Sequence, residues 1–90
     1  MYRVIKMKNR RHVYGDDSEK TCLFLGKAEK IAASYISEGY GARISKLTDY
    51  DYRPYYDEGE IFYHEIPIYT MRLEFDENGI CIRKNNNYYG

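Results

Sequence analysis

The sequence predicts a small α+β domain: an antiparallel sheet of four to five strands with one helix packed on one face, in the order β(β)αβββ. Three observations predict it. Residues 27–38 carry helical spacing, with Ala28, Ile31, Ala32, Tyr35 and Ile36 on one side and Lys27, Glu29, Lys30, Ser34 and Ser37 on the other. Several short stretches on either side are rich in β-branched and aromatic residues. Clusters of Gly, Asp, Asn and Ser separate them.

The first strand is 2–8 (YRVIKMK), with Val4 and Ile5 as its core contacts. A basic polar patch follows at Asn9, Arg10, Arg11 and His12; Val13 and Tyr14 continue the strand or return as a short hairpin arm. Gly15, Asp16, Asp17 and Ser18 are turn residues. Residues 21–25 (TCLFL) are too short and too apolar for periodicity to assign them to strand or helix. Gly39 stops the helix, because it takes a left-handed conformation without a Cβ penalty.

Residues 42–48 (ARISKLT) form the next strand, with Ala42 and Ile44 facing the helix. Residues 49–59 read as a polar, aromatic connection in which Pro54 interrupts any regular ladder. Strand character resumes at 60–66. Before Pro67, Phe62, His64 and Ile66 share a face; after it, Tyr69, Met71, Leu73 and Phe75 do, which implies a bulge or a break at that point. Asp76, Glu77, Asn78 and Gly79 form a turn into 80–84, placing Phe75 opposite Ile80 and Ile82 on the same face as Leu73. Residues 1–84 make one domain, and 85–90 a polar, frayed tail.

Ninety residues support one modest core, hiding roughly 60–65% of the unfolded surface, with little room for a deep enclosed pocket. Two isolated cysteines, Cys22 and Cys81, make no disulfide framework and suit reduced thiols in the cytoplasm. The opening MYRVIKMK lacks an apolar signal segment, and no apolar run is long enough to span a bilayer, so no membrane partner is expected.

The chemistry searched for is sparse. Cys22, Cys81, His12 and His64 are the right atom types for zinc, but no C-x₂-C or H-x₃-H pair exists, so no metal is expected. Cys22 or Cys81 with His64 makes a thiolate pair only if the fold joins them, and Ile80 and Ile82 mark Cys81 as a strand residue. Asp57, Glu58, Glu60 and Glu65 lie in a solvent-facing segment that gives paired carboxyls no contrast in environment. With no phosphate-binding or dinucleotide motif, the chain is read as a non-enzyme without a cofactor.

The charge pattern is more informative. A net charge of zero conceals two blocks. Residues 1–12 hold Arg3, Lys6, Lys8, Arg10 and Arg11 and no acid. Residues 49–65 hold six acids (Asp49, Asp51, Asp57, Glu58, Glu60 and Glu65) against Arg53 alone, together with five of the 12 tyrosines. If 49–52 is extended, Asp49 and Asp51 point one way, roughly 6.5–7 Å apart, and Tyr50 and Tyr52 the other. Spaced carboxylates beside exposed rings imitate a nucleic-acid strand and attract grooves lined with Lys and Arg.

The expected binding residues are therefore Asp49, Tyr50, Asp51, Tyr52, Tyr55, Tyr56, Asp57, Glu58 and Glu60, and the expected partner is a protein with a basic surface. The plain structural alternative is a solvated loop whose tyrosines cover the sheet and whose acids pair with the basic N-terminus. The alternative function is nucleic-acid binding through Lys6, Lys8, Arg10 and Arg11. A further class is self-association through the edge of the 69–84 hairpin.

In size, in its Tyr-, Asn- and Lys-rich composition and in its α+β pattern, the chain resembles small accessory proteins of phages and other mobile elements, anti-CRISPR proteins among them. That resemblance implies an inhibitor or adaptor. No motif carries it, so it assigns no residue a role.

Overall fold

The computed structural model describes the backbone of residues 1–89 and the side chains through Lys84. In chain order the elements are β1 (Tyr2–Lys8), β2 (Arg11–His12), β3 (Glu19–Cys22), α1 (Leu25–Ser37), β4 (Gly41–Asp57), β5 (Glu60–Phe75) and β6 (Cys81–Tyr89). One antiparallel sheet runs β2-β1-β4-β5-β6, and β3 joins the same side of β1 as β2.

The α+β class stands, with six strands in place of the four to five expected. The additional pieces come from 9–22. Asn9 and Arg10 both adopt positive φ, which makes the tight two-residue turn that matches strand twist, and β2 folds back on Met7 and Lys8. Ser18 is buried, its hydroxyl donates to the Gly15 carbonyl at 2.7 Å, and its own carbonyl accepts the Lys6 N–H at 2.8 Å. This turn delivers β3 onto β1. The ambiguous run 21–25 is divided: Thr21 and Cys22 end β3, Leu23 and Phe24 bend, and Leu25 opens the helix.

The helix buries Ala28, Ala32 and Tyr35, as its spacing predicts. It ends where expected. Gly39 has φ 92°, its N–H reaches the Ile36 carbonyl, and the Tyr40 N–H reaches that of Tyr35, which closes the last turn. The core lies between α1 and one sheet face. Val4 pairs with Ile44, and Ile44 with Leu73, giving an apolar row across three strands beneath Ala28, Ala32 and Tyr35. Val4 and Ile44 are the largest side chains fully withdrawn from solvent. Truncating Ile44 to Ala would cost about 2–5 kcal/mol. Gly41 starts β4 because a Cβ there would stand 2.5 Å from the Phe75 carbonyl oxygen.

Three details of register differ from expectation. The connection 49–59 is strand as far as Asp57, with only Glu58 and Gly59 left as a turn. Pro54 sits opposite Tyr63 in an unbroken ladder, because a ladder on one side only asks for an inward N–H at alternate residues. The phase slip lies at Lys46–Leu47 and Leu47–Asp49 against 68–71, a few residues beyond Pro67. It moves Tyr69 off the face of Met71, Leu73 and Phe75, so that its hydroxyl meets Arg3 at 2.9 Å. In the last hairpin Phe75 pairs with Cys81 rather than Ile80, and a further shift leaves Leu73 opposite Lys84 rather than Ile82. The loop is longer because the Asp76 carboxylate accepts the N–H groups of both Asn78 and Ile80. The backbone of 85–89, expected as tail, pairs with 68–72; the side chains of this stretch lie outside the described residues.

Candidate protein-docking surface

The acidic, tyrosine-rich segment forms a two-stranded arm. Beyond the register shift, β4 and β5 pair continuously from Asp49↔Ile68 to Asp57↔Glu60. Nine residues per strand make an arm about 30 Å long. Every residue from 48 to 65 is exposed. The molecule is accordingly elongated, 51 × 25 × 21 Å.

The tip is a two-residue turn in which Glu58 (φ 49°) and Gly59 (φ 78°) are both left-handed, the geometry that fits a right-twisted hairpin. It makes Asp57 and Glu60 a hydrogen-bonded pair. By alternation, Tyr50, Tyr52, Pro54 and Tyr56 then turn their backbone nitrogens away from β5.

Alternation also sorts the side chains. Tyr50, Tyr52, Pro54, Tyr56, Ile61, Tyr63 and Pro67 share one face, with Glu65 its single charge. Tyr56 is 76% exposed and Tyr63 64%. The other face carries Asp49, Asp51, Arg53, Tyr55, Asp57, Glu60, Phe62 and His64. There Tyr55 stacks on Phe62 at 5.6 Å and on His64 at 4.1 Å between centroids, bracing the ribbon.

Apart from Glu65, the acids divide into two groups. Asp49 and Asp51 bend to the outer edge of β4, where their carboxylates accept the N–H groups of Tyr50 and Tyr52 at 2.7 and 2.9 Å. Asp57, Glu58 and Glu60 crowd the tip, and among the described residues no cation pairs with them. Asp57 faces Glu60 directly. Like charges so placed weaken a ladder, and nothing in the fold asks for them.

Apart from Arg3, which lies toward the base of the arm beside Tyr69, the basic block lies at the other end. β1 is antiparallel to β4, with Met7 beside Gly41 and Tyr2 beside Lys46, so Lys8, Arg10 and Arg11 stand opposite the arm. The pairing of arm acids with Arg10, Arg11 or Lys8 is out of reach. Lys6 instead pairs with Glu38 at 3.3 Å and lies over the Tyr35 and Tyr40 rings; Lys8 donates to the Gly39 carbonyl. Both lysines sit at the helix C-terminus, where cations are favoured. Arg10 and Arg11 are exposed, and no ion pair holds them among the described residues. Glu77, close by, accepts the Asn9 N–H, which holds its carboxyl below the usual glutamate range.

Cys22 on β3 and Cys81 on β6 lie at opposite sides of the sheet, His12 on β2 and His64 on the arm; the fold does not bring these four together. Sequence reasoning missed the face of the sheet away from the helix. Arg43 contacts the buried Glu74 at 2.9 Å and Arg83 reaches it at 3.6 Å, while Arg3 pairs with Glu19. Alternation in 42–46 carried that signal, since Arg43 falls opposite in phase to Ala42 and Ile44.

The fold and arm define a small α+β domain bearing a protruding β-ribbon, and no described helix is long and apolar enough to cross a membrane. No family model matches the chain, nor does any curated protein or solved structure.

Proposed function

We propose that the chain is a non-enzymatic binding protein, an inhibitor or adaptor of the phage-accessory and anti-CRISPR kind, whose arm docks a basic protein surface. The observation that carries this reading is the unneutralised carboxylate cluster of Asp57, Glu58 and Glu60 at the tip of an exposed ribbon. The exposed rings of Tyr50, Tyr52, Tyr56 and Tyr63 support it, because tyrosine gives large contact area at low entropic cost. Carboxylates at the tip meet a basic groove first and speed the encounter; the rings then stack on its arginines. Two free thiols suit a reducing compartment such as the cytoplasm.

Affinity capture from host extract, with the parent chain and with D57N/E58Q/E60Q, tests this reading. The parent retains a basic protein that is released as salt rises, and the variant loses it. Equal retention by the two chains contradicts the reading.

A second reading, nucleic-acid binding through Lys6, Lys8, Arg10 and Arg11, rests on the exposed Arg10 and Arg11 at a tight turn. It is weakened by the engagement of Lys6 and Lys8 at the helix end. A gel shift at two salt concentrations separates the two readings; absence of binding at low salt removes the second.

A further inference from the structure

The two edges of the arm are built differently. On β4 the outward nitrogens belong to Tyr50, Tyr52, Pro54 and Tyr56. The first two are occupied by Asp49 and Asp51, and the third has no hydrogen. A strand approaching this edge finds a donor only at Tyr56, and two carboxylates in its way. On β5 the outward residues are Ile61, Tyr63, Glu65 and Pro67, the partners of Tyr56, Pro54, Tyr52 and Tyr50. Ile61, Tyr63 and Glu65 carry outward N–H and C=O groups, and among the described residues none of these is bonded. Pro67 ends the open run beside Ile68, the outermost residue of β5 that pairs with β6 among the described residues.

We propose that this edge, residues 60–66 of β5, pairs with the same edge of a second copy of the chain. Three features favour a second copy. An antiparallel arrangement about Tyr63 sets Ile61 opposite Glu65 of the other copy, Phe62 opposite His64 and Glu60 opposite Ile66, so no like charges meet. The incoming strand reaches its own tip turn at Pro67 and fits the free length between the arm tip and β6. A lone two-stranded ribbon is marginal in water, whereas pairing makes a four-stranded sheet, with Ile61, Tyr63 and Glu65 each exchanging both backbone bonds with its counterpart. The tyrosine faces of the two arms then lie on the same side.

This inference does not depend on the docking reading, since its readout is self-association of the chain alone and the tip acids Asp57, Glu58 and Glu60 are kept in every variant. Sedimentation equilibrium of the parent should show a dimer. Y63P removes the central donor and should give a monomer, whereas Y56P, on the outer edge of β4, should stay dimeric. I61E sets two carboxylates against each other across the pair and should raise the dissociation constant about tenfold; I61E/E65I relieves that contact and should restore pairing. A dimer that survives Y63P, or an I61E dimer as tight as the parent, overturns the proposal. A parent that stays monomeric also overturns it, and leaves the edge to a strand of another protein.

Discussion

The Asp51 carboxylate accepts the backbone N–H of its neighbour Tyr52 at 2.9 Å. Asp49 does the same for Tyr50 at 2.7 Å. Two acids that read as a docking pattern in the sequence therefore also close a strand edge, which protects an exposed ribbon from unwanted pairing. Replacing both by Ala frees the two N–H groups. Hydrogen exchange at Tyr50 and Tyr52 should accelerate by about tenfold, the equivalent of about one hydrogen bond. Exchange rates unchanged from the parent would show that these carboxylates do not cap the edge.

Gly41 places no Cβ against the Phe75 carbonyl, which a methyl group would approach to 2.5 Å. The backbone of Phe75 and Asp76 on one side and the Met7 Cβ on the other leave little room to yield. Gly41→Ala should destabilise the domain by about 1–3 kcal/mol in denaturant titration, with an unchanged m-value.

Tyr35 is 3% exposed, and its hydroxyl has no hydrogen-bond partner among the described residues. Burial pushes its phenol pKa up. The Lys6 ammonium lies 5.1 Å from the ring centroid, a contact that needs only the ring. Tyr35→Phe should be neutral or stabilising by up to about 1 kcal/mol, whereas Tyr35→Ala should cost about 3 kcal/mol or more. Thermal denaturation of the two variants decides it; a clear loss on Tyr35→Phe would mean that the hydroxyl is bonded in solution.

The Arg3 guanidinium donates to Glu19 and holds its carboxyl below the ordinary glutamate range. Folding thus favours the ionised form. This contribution is complete above the ordinary glutamate pKa and is lost as pH falls through the lowered folded-state value. Glu77, lowered by the Asn9 N–H, acts in the same direction. Because Glu19 is partly solvated, Glu19→Gln should cost less than about 1 kcal/mol at neutral pH. The variant should also fall off less steeply in acid, as followed by circular dichroism against pH.

The helix and its end were legible because their signals are local: the spacing of Ala28, Ala32 and Tyr35, and a glycine at 39. The core strands were legible from Val4, Ala42 and Ile44. The β5 half of the arm was legible as a strand at 60–66, but the β4 half, 49–57, was not. Pro54 argues against a ladder when each residue is taken alone, and only the pairing partner reveals that its nitrogen points outward. The small pieces at 9–22 were hidden because β2 and β3 are defined by their pairing with β1 rather than by composition. The final hairpin was found, but its register was shifted by Asp76, whose carboxylate lengthens the loop. As for the candidate surface, its composition stood out, and alternation correctly sorted Asp49 and Asp51 from Tyr50 and Tyr52. The separation from the basic end required the antiparallel order of β1 and β4.

Both the docking surface and the pairing edge require the arm to be a folded ribbon in solution. Nuclear Overhauser spectroscopy on the labelled chain tests that directly. A folded ribbon gives close Hα–Hα contacts between Tyr52 and Glu65, Pro54 and Tyr63, and Tyr56 and Ile61, the pairs that do not exchange hydrogen bonds and so lie nearest. Random-coil shifts over 49–65, with none of these contacts, would contradict it.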